Sequence, residues 1–183
     1  DDTQAFVKVQ SGGTALYGGN SGVNFVSGGS FATAMNIDAN GHIRKELQPA
    51  FLAKPSSAQT NLAVGTTTIA FGTEIFDQNN DFASNTFTAP IGGRYHFNVH
   101  IRMDQLDTAT DYYQLRLVTS NRIHYAIIDP DFGDADFNYF TIVINVLADM
   151  DASDTAYADM QISGGTAQMD IQADSHFSGF LAC

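Results

Sequence analysis

Residues Arg94 to Met103 alternate without a break: Tyr95, Phe97, Val99, Ile101 and Met103 are apolar, while Arg94, His96, Asn98, His100 and Arg102 are polar or charged. Successive strand side chains point to opposite faces, so this run predicts a long strand with one dry face and one wet face. A sheet that dries one face must cover it with a second layer. That layer is expected to be β as well, because strong helix formers are scarce. Of the 20 acids only Glu46 and Glu74 are Glu, leaving 18 Asp, and Lys occurs only at Lys8, Lys45 and Lys54. Thr, Val, Ile, Phe, Tyr, Gly and Asn, residues of strands and turns, stand in their place.

The same period recurs downstream. Tyr113, Leu115 and Leu117, then Ile123, Tyr125 and Ile127, flank Thr119 to Arg122 as a hairpin. Residues 137–147 are apolar on both faces, with Phe140, Ile142, Ile144 and Val146 against Tyr139, Val143 and Leu147. This predicts a central strand covered on both sides or a subunit contact. Residues 155–162, 167–173 and 176–182 read as three more strands. Eight or more short strands after residue 69 point to an all-β sandwich or jelly roll.

The first 48 residues differ in kind. They hold half of the 16 glycines and none of the four prolines. They carry three bases and four acids, which leaves −11 of the net −12 on residues 49–183. The boundary is therefore placed at Gln48 and Pro49. Ala5 to Val9, Val23 to Val26 and Ala34 to Ile37 read as short strands with Gly-rich turns between them. Such a segment is too poor in apolar bulk for its own core. It is expected to take structure from the following domain or from copies of itself, with a partly disordered linker as the alternative.

Charge and punctuation exclude several functions. A net −12 lacks the basic footprint of a nucleic-acid binder and opposes docking on anionic lipid. No apolar run approaches the roughly 20 residues that span a bilayer. Asp1 and Asp2 do not start a signal peptide, and a first residue other than Met is expected of a fragment or a processed product. The single cysteine, Cys183, cannot form an intrachain disulfide, so stability must come from packing or from association of subunits.

Several phrases, taken together, resemble a C1q-type globular head, the family of trimeric jelly rolls related to tumour necrosis factor. They are Pro49-Ala50-Phe51-Leu52-Ala53, Ile75-Phe76-Asp77, Asn85 through Phe97 and the closing Phe177-Ser178-Gly179-Phe180-Leu181. The resemblance covers 49–183 and implies a ten-stranded jelly roll forming a homotrimer. Asp154-Thr155-Ala156-Tyr157 falls where the family has Gly-Asp at a strand start, with Ser153 in place of the Gly. No Gly-X-Y collagen period precedes the head. Met35 to Ile43, running into Gln48-Pro49, is instead similar to leaders before C1q-like heads in phage and bacterial structural proteins. The implied reading is a fibre or spike head with 1–48 as the end of a β-rich, Gly-rich shaft.

Asp129, Asp131, Asp134 and Asp136 gather in one loop, with enough oxygen for a hard cation. Their spacing is not that of an EF-hand, so a solvated acidic loop is the expected reading, and calcium, which some C1q-like heads bind, is the alternative. Loops 104–111, 129–136 and 148–154 are the expected contact surfaces, with Asp104, Asp107, Asp111, Asp149, Asp151 and Asp154 as receptor-contact candidates. His96 and His100 stand about 13 Å apart on one strand, too far to share a metal, and suit a polar face or a pH-sensitive subunit contact. No nucleophile elbow, zinc motif or phosphate loop is present, and no Asp lies in an apolar run that would raise its pKa for glycan cleavage. The expected function is non-enzymatic: a trimeric adhesion head on the virion surface, joined to an upstream shaft or particle and binding a host cell-surface glycan or protein. A secreted C1q-type recognition protein, lectin-like, and a purely structural trimerisation cap are the alternatives.

Overall fold

In the computed structural model, residues 6–10, 13–17, 22–27, 32–131 and 135–183 are described. Ala5, the glycines at 12, 18, 19, 28 and 29, and Asp134 lie outside the described residues. Two compact units divide the chain, Asp1–Gln48 and Pro49–Cys183.

In the first unit, β1 (Phe6–Gln10) and β2 (Gly13–Tyr17) pair as an antiparallel hairpin. A separate antiparallel sheet joins β3 (Val23–Ser27), β4 (Ala32–Ile37) and β5 (Ile43–Arg44). Asp38 shapes the β4 to β5 turn by accepting the N–H groups of Asn40 at 2.8 Å and His42 at 3.0 Å. Gly41 completes it at φ 87°, a conformation that glycine adopts without steric cost.

The second unit is a sandwich of two antiparallel sheets, and the described residues contain no helix. Its strands are β6 (Ala50–Lys54), β7 (Gly65–Thr68), β8 (Thr73–Asp77), β9 (Phe82–Ala83), β10 (Thr86–Thr88) and β11 (Gly93–Asp104). Then come β12 (Thr110–Thr119), β13 (Ile123–Ile128), β14 (Phe140–Met150), β15 (Thr155–Gly164), β16 (Asp170–Ile171) and β17 (His176–Leu181). One sheet runs β13-β12-β15-β10-β9 with β7 paired to β15, and the other runs β14-β11-β17-β6-β8 with β16 paired to β11. Each main path has five strands, and β7 and β16 add two to the ten expected.

The alternation at Arg94 to Met103 appears as drawn, since Tyr95, Phe97, Val99, Ile101 and Met103 are all fully buried. They meet Leu115, Leu117, Ala158 and Met160 from the opposite sheet in one core. Aromatic rings fill it: Phe51 stacks on Phe82 and Phe87 at 4.7 and 5.1 Å and meets Phe177 edge-on at 4.9 Å. Pro90 to Gly93 carries the chain from one sheet to the other, and Tyr95 secures it by donating its O–H to the Ile91 carbonyl at 2.8 Å. The hairpin at Thr119 to Arg122 also forms.

Two expectations change. Residues 137–147 do not form a central strand. β14 starts at Phe140 and is the edge of its sheet, leaving Val143 and Leu147 exposed, while Phe137 bridges to Leu106. The strand expected over 167–173 shrinks to Asp170–Ile171, because Gly164 and Gly165, both at positive φ, turn the chain out of β15 into a loop.

Register defines two ends of the sandwich. Leu181 donates to the Pro49 carbonyl, Arg94 to the Cys183 carbonyl, and Gly93 pairs with Met150, so the two ends of this unit and the 151–154 turn share the proximal end. Met103 pairs with Phe140 and Ile171 at the other. The described loop residues around 105–109, 129–131, 135–139 and 165–175 therefore form the distal end.

Candidate functional site

The strand register that dries one face of β11 also assembles its wet face. His96, Asn98, His100 and Arg102 project outward beside Val143, Asn145 and Leu147 of β14 and His176, Ser178 and Phe180 of β17. His96 leans on the Phe180 ring at 5.2 Å. The Asn98 amide donates to Asn145 Oδ1, and its oxygen takes a hydrogen bond from His176 Nε2 at 3.0 Å. His100 and His176 lie face to face, ring centres 4.9 Å apart and planes 7° from parallel. Burial, together with the neighbouring His100, pushes the His176 imidazole below its ordinary pKa. The His100 Nδ1 is buried without a hydrogen-bond partner.

An apolar depression and a groove of mixed polarity lie on this unit as well. Ala50, Leu52, Phe76, Ser178 and Phe180 line a depression of about 520 Å³, floored by Gly179. On the open side of the sandwich, β13 and β14 are the unpaired edges of the two sheets and flank a groove of about 440 Å³. Ile123, Tyr125 (63% exposed), Ile127 and Leu147 (54%) stand at that side. His124 points inward there with Nε2 unpartnered, its pKa lowered first by burial and then by Arg122.

The acidic candidates separate into groups with different tasks. Asp107 is 6% exposed and its carboxylate is consumed inside the distal loops. It accepts the Ala109 N–H at 2.8 Å and both the N–H and O–H of Thr166, and these donors hold it below the usual carboxylate range. It is a positioning acid, and the expectation that it contacts a receptor is corrected by its burial. Asp136 is likewise engaged, taking Thr108 N–H and O–H on one oxygen and Gln168 on the other. Asp129 accepts the Asp131 N–H at 3.0 Å. Among the described residues no three of His, Cys, Asp and Glu come together to hold a metal ion.

Asp104 pairs with Arg102 at 3.3 Å, and Asp111 accepts the Ser163 hydroxyl, both on the distal half. Asp149 pairs with Arg122, and Asp154 accepts Asn121 and the Asp151 N–H, which places Asp149, Asp151 and Asp154 at the proximal end. The contact candidates therefore do not form one surface.

One strong charge pair escaped sequence reading. Arg116 of β12 grips Asp159 of β15 through Nε and Nη2 at 2.6 and 2.7 Å, with Asp159 only 3% exposed. Nothing in the spacing of 43 residues announces it. The polar outward positions of the two strands were visible, but the register that sets them opposite each other was not.

The C1q domain family matches residues 50–182, well over half of the chain. This chain belongs to the C1q domain family. Among solved structures, the C1q domain described above is similar to the globular domain of zebrafish complement 1qA protein, at 17% identity and TM-score 0.54. That similarity covers 74% of this chain and 98% of that one. It is also similar to murine APRIL, at 7% identity and TM-score 0.53, over 73% of this chain and 98% of that one. These two likenesses carry the fold. No curated protein matches the chain. C1q and tumour-necrosis-factor-type domains typically form trimers, bind ligands or receptors, and are generally non-enzymatic.

Proposed function

We propose that residues 49–183 form a homotrimeric, non-enzymatic recognition head at the tip of a phage or virus fibre, with residues 1–48 as the end of its β-rich shaft. The observation that carries the trimer is the presence, on one copy, of two separate unsatisfied apolar surfaces. The β13/β14 edge with Tyr125 and Leu147 is one, and the depression between Leu52, Phe76 and Phe180 is the other. An exposed sheet edge with large apolar side chains is a pairing liability in a monomer. Setting the edge of one copy into the depression of the next makes a heterologous contact, and three such contacts close a ring.

Recognition is assigned to the distal loops, where Asp104, Asp111, Asp129 and Asp131 stand away from Pro49 and Cys183. Three copies multiply weak polar contacts with a host glycan or protein. The family match supports a secreted recognition protein equally. A signal peptide encoded upstream of Asp1 favours that reading, and a shaft or particle-docking domain favours the fibre.

Sedimentation velocity and cell labelling test the proposal together. The full chain is expected to sediment as a trimer and, fluorescently labelled, to stain a bacterial host in a manner abolished by periodate or by protease. A monomer at micromolar concentration overturns the trimer. A trimer that stains no host leaves a structural cap. Calcium at Asp129, Asp131, Asp134 and Asp136 is part of the same proposal, and an unchanged thermal midpoint in millimolar calcium chloride removes it.

A further inference from the structure

The stacked pair His100 and His176 lies on the face that the proposed trimer covers, beside the apolar depression to which His176 itself contributes. Two neutral imidazoles stack without electrostatic cost, whereas two imidazolium rings at 4.9 Å repel each other in a site from which water is being removed. We infer that this stacked site is an acid-sensitive latch on self-association: the copies assemble while the His176 ring is neutral and separate when it is protonated. The inference rests on the trimer reading above.

Every neighbouring element bears on that pair. On β11 itself stand His96, stacked on Phe180, and Arg102, already paired to Asp174 at 2.9 Å and to Asp104 at 3.3 Å. From β14 the facing residues are Val143 beside His100 and Asn145 beside Asn98, neither of them titratable. From β6 comes Lys54, next to Ala53 in the register with Phe177 and lining one hollow with His176 and Asp174. Glu74 of β8 is exposed at the far edge. Asp174, in the same hollow, favours protonation of His176, and Arg102 already engages it. His176 meanwhile commits its Nε2–H to Asn98, whose amide is anchored on Asn145. This chain crosses three strands and holds the ring where a second copy would cover it.

The sign follows from linkage. In the free copy His176 already sits below its ordinary value of about 6.5, and covering it removes more water and lowers it further. A group whose pKa is lower in the assembled state supports assembly in full above its free-state pKa. That support is lost as pH falls toward the assembled-state value. The window therefore opens below about pH 6.5. General charge effects run the other way, since adding protons to a chain of net −12 relieves repulsion between copies and on its own would tighten the trimer.

Sedimentation equilibrium of the full chain at about pH 7.5 and about pH 5, at fixed ionic strength, reads the difference. We expect a trimer at the higher pH and a dissociation constant at least about ten-fold larger at the lower, reversibly. His176→Gln, which keeps a donor for Asn98 and carries no charge, is expected to hold the two values within about two-fold. His96→Gln is expected to keep the acid response. Should His176→Gln fail to fold by circular dichroism, His100→Gln, which removes the ring that repels a protonated His176, is read instead and must shrink the acid-induced rise in the dissociation constant. A wild-type trimer that is equally tight at both pH values overturns the latch and leaves the trimer standing. The latch is equally overturned by a folded variant at either position that dissociates with acid as the wild type does. A monomer at neutral pH overturns both readings.

Discussion

Ser153 takes a φ of 75°, in the left-handed region where a side chain is strained, while its N–H bonds the Ala89 carbonyl at 2.7 Å. This is the position at which the sequence departs from the glycine of the family phrase. Ser153→Gly is expected to raise stability by about 0.5–1 kcal/mol, the strain relieved being partly offset by the added freedom of the unfolded chain, measurable by urea unfolding. Gly179 is the opposite case. A Cβ there would lie 2.5 Å from Phe97 Cδ1 and 2.9 Å from Phe51 Cε1. Gly179→Ala is expected to destabilise by about 1–3 kcal/mol in the same assay, because two packed rings must move. Asp107 adds a pH-dependent contribution. Its depressed pKa means that its stabilisation is complete above about pH 4 and is lost as pH falls through the depressed value. Asp107→Asn is expected to cost about 1–3 kcal/mol at neutral pH and to flatten the acid limb of the stability profile.

At the scale of the strand, the period of the sequence shows which side chains are dry together and stops there. Arg94 to Met103 was legible because one face is core and the other is polar. β14 was legible as a strand, but its two apolar faces could not say what covers the second, and the structure makes it an edge with Val143 and Leu147 open to solvent. The candidate site was less legible still. His96 and His100 were visible on one strand, yet the ring that stacks on His100 comes from β17, 76 residues on, and only the pairing of β11 with β17 brings it there. Asp107 looked like any loop acid until its three donors converged from Ala109 and Thr166. If β13 and β14 form the edge that a second copy covers, Leu147→Glu is expected to convert the trimer to a monomer with unchanged circular dichroism. Sedimentation velocity of the variant checks this, and a persistent trimer would place the interface elsewhere.

For the whole molecule, three copies in the proposed trimer would triple a net −12 to −36, most of it on residues 49–183. Self-repulsion of that size is screened by salt, since the Debye length falls from about 30 Å at 0.01 M to about 3 Å at 1 M. The trimer is therefore expected to tighten as sodium chloride is raised over that range at neutral pH, followed by its dissociation constant; weakening would mean that ion pairs between copies outweigh the repulsion. The sandwich also receives the chain at Pro49 and releases it beside Arg94 and Gly93, where Cys183 meets the Arg94 N–H. A domain whose two ends lie side by side can be spliced into a loop of a foreign host protein without stretching it. The same geometry leaves the distal loops clear of both joints. Substitutions in those loops therefore leave untouched the hydrogen bonds from Leu181 to Pro49 and from Arg94 to Cys183 that tie the two ends together.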